Sequence, residues 1–105
     1  VTGQEVGTSL SAIVSNPSAS GKVYKINSLV VSNIDGTNAA DITAEVFKNQ
    51  TTGYYLAFTI SVPPDATLVI VSKDSSIYLE ENDSIRLQAS AASDLSAVCS
   101  YEEIS

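Results

Sequence analysis

A chain of 105 residues, 44% hydrophobic and 16% charged, has material for one folded domain with a single core; it is too apolar for a disordered segment. Its net charge of −7, from 5 basic against 12 acidic residues, repels phosphate backbones and anionic lipid, which argues against nucleic acid and membranes as partners. The absence of histidine removes the Ser-His-Asp and Cys-His nucleophile pairs, the histidine general base and the histidine metal ligand.

No apolar run approaches the length of a membrane span, and the first residues lack the basic start and apolar middle of a signal peptide, so a soluble chain is expected. Residues 1–22 read as an N-terminal arm and a first short strand. Residues 23–105 read as the body of the same single domain. Within the arm, Val1 to Thr8 is ordered only if something docks on it, and Ser9 to Val14 forms a strand that Asn16-Pro17 ends. Val23 to Asn33 places Tyr24, Ile26 and Val30 on one face and Leu29 and Val31 on the other, the pattern of a strand covered on both sides. Asp35-Gly36 and Asn38 then tolerate the left-handed backbone of a tight turn.

Asp41 to Lys48 alternates, with Ile42, Ala44 and Val46 inward, and the polar link Asn49 to Gly53 makes a hairpin into the next strand. That strand, Tyr54 to Val62, carries Tyr54, Leu56, Phe58, Ile60 and Val62 at every second position, which predicts one apolar face buried against a second layer. Pro63-Pro64 ends it, since two prolines cannot donate to a ladder. Thr67 to Ser72 is a β-branched run expected to be buried on both faces, and Lys73 to Ser76 turns the chain. Ile77 to Leu79, Ser84 to Ala91 and Leu95 to Ile104 complete the set. Short strands at this spacing, with no helical period, predict an all-β fold: an antiparallel two-sheet sandwich of about eight strands.

The turn Glu80, Glu81, Asn82, Asp83 and the group Asp35, Asn38, Asp41 bring oxygen ligands together, but neither has the EF-hand spacing, and solvated turns are the simpler reading. Glu102 and Glu103 fall on opposite faces of a strand, so they form no carboxylate pair. Cys99, with no basic neighbour in sequence, is expected to be a buried, inert thiol. Only one of Tyr54 and Tyr55 can face inward, leaving the other to make a protein contact, stack on a sugar, or do nothing. Asn49-Gln50-Thr51 and Asn82-Asp83-Ser84 match the glycosylation pattern, which matters only in a secreted eukaryotic chain. No catalytic, cofactor-binding or metal residue is assigned.

The segment Ile77-Tyr78-Leu79-Glu80-Glu81-Asn82-Asp83-Ser84-Ile85-Arg86-Leu87 is similar to the Leu-x-x-Gly-Asp-x-Ile/Val pattern of jelly-roll sandwiches, with Asn82 at the glycine position. A second resemblance rests on Tyr24 to Ile42 (reading YKINSLVVSNIDGTNAADI), Val62-Pro63-Pro64-Asp65-Ala66-Thr67-Leu68, Ile77 to Asp83 and the ending Ser100 to Ser105. In these stretches the chain resembles small virion structural proteins of tailed bacteriophages, especially those of marine and cyanobacterial phages. The resemblance implies a non-enzymatic virion component. Capsid decoration (cement) is the expected role, with a neck, tail or fibre-associated subunit and a carbohydrate-binding sandwich for host recognition as alternatives.

A virion component is expected to associate with itself, as a trimer or larger ring, and with other virion proteins such as the major capsid protein, in a particle assembled in the host cytoplasm. Leu29, Val31, Val69 and Val71 offer more apolar strand surface than one small sandwich needs. With Tyr55 and the N-terminal arm they are the expected docking surface, the acidic turns facing solvent.

Overall fold

The computed structural model describes residues 2–72, 74 and 76–104, so the turn expected over residues 73–76 lies partly outside the described residues. Nine strands occur among them: β1 (Thr2–Glu5), β2 (Ser11–Ser15), β3 (Val23–Asn33), β4 (Ala40–Lys48), β5 (Thr52–Val62), β6 (Thr67–Val71), β7 (Ile77–Leu79), β8 (Ser84–Ala89) and β9 (Leu95–Ile104). They form two antiparallel sheets packed as a sandwich, one ordered β1-β9-β3-β6 and the other β2-β8-β4-β5. Short β7 shares the outer edge of β3 with β6, taking Tyr24 to Ile26 while β6 takes Leu29 to Ser32.

With β7 set aside, the remaining eight strands follow jelly-roll order, crossing between the sheets at every step except the β4–β5 hairpin, as the pattern around Asn82 suggested. Asn82 itself has φ 71°, the left-handed conformation that a glycine would adopt at this turn without cost. The N-terminal arm docks on its own chain: β1 pairs with β9, and the Val6 amide donates to the Leu95 carbonyl at 2.9 Å. Gln4 Nε2 then reaches Ser11 Oγ across the sandwich at 3.0 Å, tying β1 to β2 and closing that side.

The core is aliphatic. Ile26, Leu29, Val31, Ile42, Leu79, Ile85, Leu87, Leu95 and Val6 are its largest fully buried members. Burial of this kind stabilises the fold by about 1.5–3 kcal/mol per large side chain. Three expectations about individual strands change. In β3, Tyr24, Ile26, Leu29 and Val31 all face the core rather than dividing between two faces, because a bulge between Ile26 and Ser28 inserts Asn27 and switches the parity of the side chains. In β5, only Val62 is buried. In β6, only Val71 is buried and Val69 is exposed, because β6 is an edge strand, not a strand covered on both faces.

The loops are fastened by buried asparagines. Asn33 Nδ2 donates to the Asn38 and Val62 carbonyls, both at 2.9 Å, while its Oδ1 accepts from the Asp35 amide. The following turn is built by Asp35 Oδ1, which accepts from the Thr37 amide at 2.8 Å, and not by left-handed backbone at Gly36 or Asn38. Asn16 does the same work at the opposite end, donating to the carbonyls of Lys22 and Leu79.

Candidate interaction surface

One side of the sandwich is closed by the β1–β2 link and the other is open. On the open side β5, the edge of one sheet, runs beside β6, the edge of the other. Between them lies an apolar cleft of about 280 Å³ lined by Leu56, Ala57, Ile60, Leu68, Val69 and Ile70. Of its lining residues Val69 is 57% exposed and Ile60 somewhat less; along the same strand β5, Tyr54 is 62% exposed, Phe58 60% and Tyr55 57%.

The sequence makes this side unusual in a second way. No charged residue occurs from Asn49 to Pro64, and Asp65 is the single charge between Asn49 and Ser72. Edge strands are ordinarily protected by lysine, proline or brevity, and β5 has 11 residues without either residue type. Its protection is partial: two register shifts against β4 bend it, and Thr59, at φ 47°, takes the left-handed conformation that a β-branched residue avoids. The Thr59 amide, turned out of the ladder, donates to Thr43 Oγ1 at 3.1 Å.

Cross-strand pairing puts Tyr55 opposite Glu45 on the outer face of the β5 sheet, where Phe58 meets Tyr55 edge-to-face with centroids 4.8 Å apart. Beside this aromatic pair, Arg86 is hydrogen-bonded to the buried carboxylate of Glu45 and stacks 3.7 Å from the Phe47 ring centroid. A Cβ at Gly53 would collide with the Glu45 carboxylate, so glycine is what lets β5 pass over the buried ion pair. The Glu45 carboxylate beside the exposed aromatics is thus already occupied by Arg86 and is not presented to a ligand.

Of the residues expected to dock, Tyr55 and Val69 lie at the surface on the open side. Leu29, Val31 and Val71 do not: they are 0%, 0% and 2% exposed and belong to the core. Asn27 is the reason for Leu29 and Val31, and Val71 follows because it pairs with Leu29. Alternation in the sequence places Tyr54, Phe58 and Ile60 on the buried face of their strand, whereas all three are exposed. The charge-free run from Asn49 to Pro64 was the signal that could have found them.

Elsewhere the polar groups serve the fold. Burial alone would push the Asp83 carboxyl up, yet hydrogen bonds from Lys48 Nζ at 2.7 Å, the Asn49 amide at 2.9 Å and the Glu80 amide at 3.0 Å outweigh it and hold the group below the ordinary carboxylate range. Asp83 therefore closes its own turn and is not free to bind a cation. Burial pushes the Cys99 thiol up to about 11, which keeps it protonated at neutral pH. Hydrogen bonds from the Thr37 amide and Asn38 hold Asp35 low, while burial and the neighbouring Asp35 charge push Asp94 up. Among the described residues no group of three or more His, Cys, Asp or Glu is placed to hold a metal ion. A second cleft, of about 230 Å³, is lined by Asp41, Thr43, Thr59, Gln88, Ala89 and Ser90. It has one carboxylate and no nucleophile–base pair.

The molecule is therefore an antiparallel jelly-roll sandwich with an apolar side along β5 and β6, two edge strands that carry no charged residue. No protein-family model and no curated protein matches the chain. Among solved structures it is similar to a pentameric capsid protein from metagenomic phage sequences, with a TM-score of 0.44 and 17% sequence identity over 95% of this chain. The chain spans 62% of the length of that protein.

Proposed function

We propose that the chain is a non-enzymatic structural subunit of a phage particle, and within that class a capsid decoration subunit that associates with itself and binds the particle surface. The observation that carries this reading is the open side of the sandwich, where Ile60 and Val69 line an apolar cleft and Tyr54, Tyr55 and Phe58 are exposed along the edge strand β5. Soluble monomers rarely present a contiguous apolar area of more than a few hundred Å² unless something covers it. The sequence resemblance to small virion structural proteins supports the choice of particle. A jelly roll by itself supports no function, since the fold serves capsids, lectins and enzymes alike.

A carbohydrate-binding role is the weaker reading. Tyr55 and Phe58 offer aromatic faces, but the nearest carboxylate, Glu45, is buried in its pair with Arg86. Electron microscopy of purified virions with gold-labelled antibody against the chain tests the proposal. Label over the head is expected. Label at the neck, tail or fibres replaces the decoration role with one of those stations, and unlabelled particles together with a positive glycan array would overturn the structural role altogether.

A further inference from the structure

We infer that the open side of the sandwich is an isologous contact, in which two copies of this chain meet β5/β6 side to β5/β6 side and seal each other's apolar cleft. The inference deepens the proposed role and rests on the self-association contained in it.

Charge selects the partner. Each copy carries −7, so two copies repel over most of their surfaces. Between Asn49 and Ser72 only Asp65 is charged, so on this side two acidic copies can approach with little charge opposing charge. A basic partner would find only Asp65 here to pair with. An uncharged apolar surface is what fits, and a second copy presents one.

Area agrees with this choice. Taking an aromatic side chain as about 200 Å² and the aliphatic ones as somewhat less, the exposed parts of Tyr54, Tyr55, Phe58, Ile60 and Val69 amount to roughly 500 Å². The half-buried Leu56, Leu68 and Ile70 and the two edge backbones add to that, bringing it near the ~800 Å² per partner of a standard stable interface.

The opposite side of the molecule does not complement this patch. There β1, reading Thr-Gly-Gln-Glu, and the short β2 are joined by the Gln4–Ser11 hydrogen bond and present polar groups. An aromatic rim set against them would leave polar atoms buried without partners. Like against like is the arrangement that matches, and a two-fold contact closes after two copies. A trimer or larger ring would need a further surface.

Mass measurement of the purified chain by sedimentation over a concentration series tests the inference. Expected is a concentration-dependent species of twice the 11.0 kDa chain mass, strengthened by added salt because screening relieves the repulsion between copies. Phe58→Asp and Val69→Asp, both at exposed positions that leave the core intact, should weaken dimerisation by roughly 30-fold or more, as loss of central contacts does. Ile104→Asp, exposed at the far end of β9, should leave it unchanged. A chain that stays monomeric at every concentration, one that assembles directly to three or more, or a dimer that salt dissolves or Phe58→Asp leaves intact would each overturn the inference. A monomer in solution beside gold-labelled heads would sink this contact and leave the virion role standing, whereas a dimer beside unlabelled particles would do the reverse.

Discussion

Asp83 shows how a single residue can close a turn that the sequence marks only as acidic. Its carboxylate is 2% exposed and takes hydrogen bonds from Lys48, the Asn49 amide and the Glu80 amide, binding the β4–β5 link to the turn before β8. Replacing it with alanine leaves two amides without acceptors, although half-exposed Lys48 can turn to solvent. Asp83→Ala should therefore cost about 1–3 kcal/mol in urea unfolding at neutral pH. Because the folded carboxyl lies below its unfolded value, its contribution is complete above pH ~4 and fades as pH falls through the lower folded value. The stability difference between wild type and Asp83→Ala should accordingly shrink with acidification. Asn82, next to it, was legible from sequence as the residue at the glycine position. The Asp83 bonds were not, since Lys48 and Asn49 come together with it only through the sheet.

At the scale of the strand, parity decides which side chains dock and which pack. Strict alternation holds along β8, where Ile85, Leu87 and Ala89 are buried as read from sequence. Along β3 one inserted residue, Asn27, turns Leu29 and Val31 from a presumed outer face to the core, and nothing in the local pattern marks it. Along β5 alternation is real but burial does not follow, because sheet order places the strand at an edge and sequence does not print sheet order. The bulge that bends β5 depends on Thr43, whose hydroxyl accepts the Thr59 amide. Thr43→Val keeps the shape and removes the acceptor, so it should cost about 1 kcal/mol by thermal or urea unfolding while leaving the strands assembled. An unchanged stability would mean that water serves the Thr59 amide equally well.

On the scale of the whole molecule the two sides of the sandwich differ in kind. The β1–β2 side is tied and polar, and the β5–β6 side is apolar and without charge along two edge strands. The all-β class, the two layers and the jelly-roll cue followed from strand spacing and the turn around Asn82. The open side did not, since it exists only once two strands distant from a common sheet are brought to the same margin.

Hydrogen–deuterium exchange measured at low and high protein concentration tests the central claim that this margin is where copies meet, because it reports both association and its location. Amides of Thr52–Val62 and Thr67–Val71 should gain protection as concentration rises, with those of β1 and β2 unchanged. Protection of β5 and β6 that is independent of concentration, or a gain that falls on β1 and β2 instead, would contradict it.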